Sequence, residues 1–358
     1  MIYNKKGEWM KRDFLLECLG VEAPVFMGAM DGGVCTPELV AAVANAGGLG
    51  TLTASQFSPE MLRQQIKRVK ELTDKPFAVH LKAPQPYQYS DDQVNIVKQC
   101  VMPFARELGI NELELPDTLQ PSFSEQMAVI LDEKIKVFSF SGGIPALKWF
   151  DQLRDAYVVV LGTATSLEEA QILEKVGVDA IIAQGSEASG ERSNFLSDNF
   201  SAMTTRDTLC EIIAEAVQLP LISAGGLVTA EQVEQALEIA DAVQLSSVFL
   251  NSDESALPAV LKEKLINMTD EKTVLTTVYT GRLARVLDNR FVAALSAYKT
   301  FMLPPPVQAA LLRPVLEAAL RQQCYDILPL YVSEGFQISS KVAVADLVCN
   351  LYRVAEVA

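Results

Sequence analysis

The chain has 358 residues, 49% of them hydrophobic, and a formal charge of −15; a mean hydropathy of +0.19 suits a globular α/β protein with a large core. So acidic a surface argues against nucleic acid or an anionic membrane as partner, because either would be repelled over most of it. Residues 1–12 are polar and charged, without the apolar centre of a signal peptide, and no later stretch offers about 18 uninterrupted apolar residues, so a cytoplasmic protein without a membrane span is expected.

From residue 24 onward, short apolar runs alternate with helical patterns, as in repeated βα units around a parallel sheet. Eight strands are expected, at 24–30, 48–54, 76–82, 136–141, 158–163, 179–184, 220–224 and 242–249. Helical patterns lie at 37–46, 59–73, 167–176, 205–217 and 230–240; in the second, Leu62, Ile66, Val69 and Leu72 share one face. This alternation predicts a (β/α)8 barrel over residues 1–250. Residues 90–133 interrupt it with two helical patterns flanking the short extended piece Glu112-Leu113-Glu114-Leu115-Pro116, which is left outside the barrel count.

Past Phe249 the pattern reads as helices alone, at 256–268, 282–296, 305–322 and 342–354. Pro304, Pro305 and Pro306 stop one element and open the next, since proline is tolerated in a first helical turn. Residues 251–335 are therefore expected to form a helical lid over the barrel mouth. The stretch 336–358, with Val344, Leu347, Val348, Leu351 and Val354 on one face, is expected to return as the last outer helix.

Chemistry concentrates where apolar runs end. The run 178–182 opens into residues 183–193, which carry Gln184, Glu187, Glu191 and Arg192 and read as the rim of an active site. The seventh expected strand ends in Ser223-Ala224-Gly225-Gly226-Leu227, and the eighth contains Gln244-Leu245-Ser246-Ser247. Loops after these two strands commonly bind phosphate, with glycines admitting backbone N–H groups and hydroxyls adding donors; the alternative for Gly225-Gly226 is a tight turn. Gly28-Ala29-Met30-Asp31-Gly32-Gly33-Val34 would let a flat ring lie against backbone, or serve only as a flexible connection to the helix capped by Thr36. Asn45-Ala46-Gly47-Gly48-Leu49-Gly50 reads as a helix end entering a strand. Cys18, Cys35, Cys100, Cys210, Cys324 and Cys349 show no paired spacing, and His80 is the only histidine, so neither a metal site nor a disulfide framework is expected.

Several of these stretches, in order, resemble the nitronate monooxygenases, formerly called 2-nitropropane dioxygenases. They are Pro24-Val25-Phe26-Met27-Gly28-Ala29-Met30, Thr36-Pro37-Glu38-Leu39, the Asn45 to Gly50 stretch, Lys75-Pro76-Phe77, Ser139-Phe140-Ser141-Gly142-Gly143-Ile144-Pro145, Ala183-Gln184-Gly185, Ala224-Gly225-Gly226 and Thr280-Gly281-Arg282. The same superfamily includes flavin-dependent enoyl-ACP reductases and NADH:quinone reductases. The resemblance implies an FMN-binding barrel with a helical substrate domain, acting on a small-molecule substrate with O2 as a monomer or homodimer. It implies phosphate contacts at Gly225, Gly226, Ser246 and Ser247, where the family usually has Gly-Thr in place of the two serines. It further implies flavin contacts at Gly28, Ala29, Met30, Gln184 and Ser189, and at His80, where the family usually has asparagine.

The main departure is at Glu187-Ala188-Ser189-Gly190-Glu191, where the family usually reads Glu-Ala-Gly-Gly-His. Glu191 thus stands in the place of the catalytic histidine. A glutamate is an ordinary weak base near neutral pH unless burial raises its pKa. It reads either as catalytic or as a solvated rim residue paired with Arg192. A nitronate is already an anion and needs no C–H deprotonation, but a carboxylate would repel it unless a cation offsets the charge. Lys82 and Arg282 are the candidate cations, with a surface salt bridge as the other reading of Arg282. Tyr279, Tyr298 and Lys299 either face the substrate or pack the lid. Three functions follow from the resemblance: nitronate oxidation, NAD(P)H-dependent reduction of an enone or quinone, and noncatalytic flavin or phosphometabolite binding.

Overall fold

The structure, a computed structural model, describes residues 11–197, 203–268, 272–338 and 340–356, without the side chains of 353–356. The readings made for residues 1–10 and for the Val354 side chain lie outside the described residues.

Every expected barrel strand forms. In chain order the strands are β1 (Val25–Met27), β2 (Gly50–Thr53), β3 (Phe77–Lys82), β4 (Val137–Ser141), β5 (Val159–Ala164), β6 (Ala180–Gln184), β7 (Gly190–Glu191), β8 (Leu221–Ala224), β9 (Ala242–Leu245), β10 (Thr273–Thr276) and β11 (Ala284–Leu287). Eight of them form one parallel sheet in the order β1-β9-β8-β6-β5-β4-β3-β2. The two ends meet: the Met27 N–H donates to Leu49 O at 2.9 Å and the Leu49 N–H to Val25 O at 3.2 Å. The sheet is therefore a closed (β/α)8 barrel, without a free edge. The helix Pro59–Leu72 starts as its sequence predicts, with the Ser58 hydroxyl accepting from the Met61 N–H and Leu62, Ile66 and Val69 buried against the barrel.

Period-two alternation divides each strand. Val25, Met27, Val79, Leu81, Phe138, Phe140, Ile181 and Ala183 join the cluster under the outer helices. Their neighbours Phe26, Ala78, Val137, Leu161, Ala180, Ile182, Ile222 and Ala242 form a separate inner cluster. Leu15 and Leu19, on the helix Lys11–Leu19, pack into that inner cluster. This helix covers the N-terminal end of the barrel and has no counterpart in the strand count made from sequence.

A third cluster lies beyond the barrel. Val278, Phe291, Leu303, Leu311 and Val315 pack there with Val94, Val97, Val101 and Phe104. The helix Asp91–Glu107 thus joins the C-terminal cap, although it precedes it by half the chain. The cap also departs from the all-helical expectation. Residues 273–287 form the antiparallel pair β10 and β11, and the helix expected over 282–296 is confined to Arg290–Leu295. The reason is tertiary: β11 is buried throughout and pairs on one side with β10 and on the other with β7, which overrides a local helical preference. The eighth barrel strand likewise stops at Leu245, before a 3₁₀ turn at Ser247–Asn251. The closing helix, Val344–Glu356, buries Val344, Val348 and Leu351 in the barrel's outer cluster.

Candidate functional site

The alternation that makes the barrel floor apolar makes its mouth polar. Two residues beyond inward Ala78 comes His80, and two further comes Lys82; beyond Val137 come Ser139 and Ser141, in register with them. His80 is buried and spans both serines, with Nδ1 at 2.8 Å from Ser139 Oγ and Nε2 at 3.1 Å from Ser141 Oγ. A neutral imidazole donates at one nitrogen and accepts at the other, so one serine accepts from the ring and the other donates to it. Burial, reinforced by the Lys82 charge and opposed by Glu191, holds the His80 pKa down at about 3. The ring is neutral at any ordinary pH.

Lys82 is the centre of the charged part of the site. Its Nζ lies 2.7 Å from Asp31 Oδ2, on the loop after β1, and 2.8 Å from Glu191 Oε2, on β7. Burial works against the ammonium, but Asp31 and Glu191 outweigh it and push its pKa above the usual lysine value. The Glu191 side chain is only 11% exposed, so it is neither a solvated rim residue nor the partner of Arg192. Arg192 is buried and turns the other way: Nη1 donates to Gln184 O at 3.1 Å, to Gln184 Oε1 at 3.3 Å and to Gly185 O. Burial lowers its pKa to about 10, against the charges of Glu169 and Glu187 and with that of Arg285.

The loop carrying Glu191 is stitched to the cap. β7 pairs with β11, Glu191 opposite Ala284, and the Arg192 N–H donates to Leu283 O at 2.8 Å. Arg282 Nη1 donates to Asn194 O at 2.7 Å and Arg192 O at 3.3 Å, with its guanidinium beside Gly142. Arg285 Nη2 donates to Ser186 O at 3.0 Å and pairs with Glu334 at 2.8 Å. Gln184 completes the seam: its Nε2 donates to Glu191 O at 3.0 Å and its Oε1 accepts from the Ser193 N–H at 2.8 Å.

The uncharged part of the site lies where β1, β8 and β9 end. A Cβ on Gly28 would stand 2.5 Å from Ser246 Oγ and 3.2 Å from the Gln244 side chain, so only glycine leaves this space open. Gly225 and Gly226 have φ of 122° and 69° and pack against Ala188 and Glu187. Ser189 follows directly and is half-buried, as is Ala29; Met30 is buried and its N–H donates to Thr53 Oγ1 at 2.8 Å. Ser247 is buried, and its Oγ accepts from the Ser333 N–H at 2.9 Å. Small residues around a buried hydroxyl pair suit an anionic group approached by backbone N–H donors.

The lid residues divide. Tyr279 is buried inside the cap, stacked on Phe291 at 5.3 Å, with its hydroxyl donating to Ile327 O at 3.1 Å and bonded to Asn289; this is the packing alternative. Tyr298 and Lys299 are exposed and, among the described residues, make no hydrogen bond or ion pair to the Lys82 cluster. Reading from sequence missed Asp31 as an ion-pair partner and Ser139 and Ser141 as the histidine's partners. It also missed Tyr331, whose phenol lies in the field of Asp31 and Glu191; burial first, then those carboxylates and Tyr279, push its pKa well up. The period-two rule applied outward from inward Val137 would have found the two serines; nothing local marks Tyr331.

Comparison with known proteins identifies the family. The sequence profile described as nitronate monooxygenase matches residues 12–353. A Staphylococcus aureus (strain Newman) protein named probable nitronate monooxygenase is 34% identical over 307 residues, 85% of this chain and 86% of that one. The solved structure of nitroalkane oxidase from Streptomyces ansochromogenes superposes with a TM-score of 0.86 at 34% identity, covering 94% of this chain and 96% of that one. FabK from Thermotoga maritima superposes with a TM-score of 0.74 at 26% identity, covering 96% of each chain. The chain is an oxidoreductase and belongs to the nitronate monooxygenase family.

Proposed function

We propose that the protein is an FMN-dependent nitronate monooxygenase that oxidises alkyl nitronates of the propionate-3-nitronate type with O2 to a carbonyl compound and nitrite. The observation that carries this reading is Lys82, held between Asp31 and Glu191 at 2.7 and 2.8 Å. An ammonium has three donors, of which two are engaged by these carboxylates, and the third is left for a substrate oxygen. Glu191 acts here by holding that ammonium in place. A substrate that arrives as the nitronate requires no base at this position.

The cradle fits FMN because Gly28 is kept clear of side chain beside Ser246 and because buried hydroxyls line it. Gly225, Gly226, Ser246 and Ser247 would hold the phosphate; Gly28, Ala29, Met30, Gln184, Ser189 and the face of His80 would lie along the rest of the flavin. Bound there, FMN supplies the electron transfer and the oxygen chemistry. The cap over residues 251–335, joined by Asp91–Glu107, would enclose the substrate, with Arg282 fixing the loop that carries Glu191.

The likeness to FabK keeps one second reading in play, in which the same scaffold takes a hydride from NAD(P)H and passes it to an enone or quinone. Stopped-flow mixing of the yellow holoprotein separates the two. Anaerobic bleaching by propionate-3-nitronate, with nitrite released in air, is the expected result. Bleaching by NAD(P)H and not by nitronate would replace this function with the reductase, and a protein that takes up no flavin would end both.

A further inference from the structure

Residues 328–336 return from the cap to the barrel as a strap without helix or strand, and Ser333 lies in it where it enters a turn, between the two loops that form the cradle. On one side its N–H donates to Ser247 Oγ, beyond β9, at 2.9 Å. On the other, the next residue, Glu334, donates its N–H to Glu187 O at 2.9 Å, and Glu187 is the residue against which Gly226, beyond β8, packs. The Glu334 carboxylate is anchored on Arg285 at 2.8 Å, so the strap is fixed immediately after Ser333.

Ser333 is 4% exposed, and its Oγ is buried with no hydrogen-bond partner. Ser247 is 2% exposed; its oxygen accepts from Ser333, and its own proton has no acceptor among the described residues. Two buried hydroxyl protons side by side without an acceptor make a site short of oxygen lone pairs. Buried hydroxyls in native proteins are normally satisfied, so what is missing is an acceptor-rich group. The Glu187 carboxylate makes no hydrogen bond to either hydroxyl; its two oxygens accept from the Arg206 N–H, at 2.9 and 3.2 Å.

We propose that Ser333 is a phosphate-binding residue of the cofactor site, donating its hydroxyl to the phosphate of FMN beside Ser247 and closing the cradle from the strap. This rests on the FMN reading above and adds to it an element far in sequence from the glycine and serine loops.

The test is the affinity of the flavin-stripped full chain for FMN and for riboflavin, which lacks the phosphate, followed by quenching of flavin fluorescence. Ser333→Ala is expected to weaken FMN roughly 10-fold, the scale of a hydrogen bond to a charged group, and to leave riboflavin unchanged. Ser333→Asp is expected to abolish FMN binding and spare riboflavin, which also reports an intact fold. Equal losses for both flavins, or none for FMN, would overturn the assignment to Ser333 while leaving FMN as the cofactor. A wild-type protein that binds neither flavin would overturn the functional reading and this one with it.

Discussion

The two parts of the site keep their polar groups in opposite ways. Around Lys82, every charge has a partner: one ammonium lies between two carboxylates, and the neutral histidine behind it bridges two serines. Around Ser247 and Ser333, by contrast, two buried hydroxyl protons lack acceptors among the described residues, although the neighbouring charges of Glu187, Glu334 and Arg285 are all engaged. A self-satisfied cluster is stable without a ligand and works by tuning what comes near it. An unsatisfied one is complete only when something binds. On the proposed reading, the second kind marks the place of the cofactor and the first that of the substrate.

The largest break in this contrast should come from filling the cradle. Gly28→Val places branched carbons against Ser246 Oγ and Gln244, and overpacking of about 1–3 kcal/mol corresponds at its upper end to roughly a hundredfold weaker FMN binding. The purified variant should be colourless, as read from its visible spectrum; full flavin content would show that the cradle lies elsewhere. Lys82→Met should instead leave the flavin bound and lower kcat/KM on nitronates by on the order of 10², the usual loss when a donor to a developing or fixed anion is removed. Oxygen uptake under steady-state conditions measures this, and a variant with wild-type turnover would remove Lys82 from substrate binding.

Smaller effects sharpen the charged side. Glu191→Gln removes a like charge from the path of an anionic substrate while Lys82 keeps Asp31, so FMN should stay bound and kcat/KM for propionate-3-nitronate should rise about 3- to 10-fold, well under the unscreened Coulomb limit. Identical kinetics across pH would show that Glu191 takes no part. The smallest effect concerns stability. His80 has a folded pKa of about 3 against an ordinary value of 6.5. The unfolded chain therefore binds the proton first as pH falls, and the stability present above about 6.5 declines progressively toward pH 3. His80→Asn should flatten that part of the acid sensitivity, seen as a smaller drop in melting temperature between pH 7.5 and pH 5 relative to wild type.

Much of the frame was legible in the sequence because barrel strands are buried on both faces and announce themselves as apolar runs. The helix Pro59–Leu72 was equally plain from its stripe of Leu62, Ile66, Val69 and Leu72, whereas its Ser58 cap emerged only from the structure. The hairpin of β10 and β11 was not, because Thr273–Thr276 and Ala284–Leu287 are short and exist as strands only through pairing with each other and with β7. The charged cluster shows the same limit. Lys82 and Glu191 could each be singled out, one at the end of a strand and one at the departed histidine position. Their pairing could not be read, since it is closed by the barrel and by a seam to the cap. Ser333 lies in a stretch with no periodicity at all, and only its burial without a partner gives it meaning.

One further consequence follows from the helix Lys11–Leu19. With Leu15 and Leu19 seated among the inner residues, the barrel is a cup rather than a pipe. Among the described residues, the level of His80 and Lys82 is closed from the barrel floor, so approach to it is from the mouth, where β7 meets the cap.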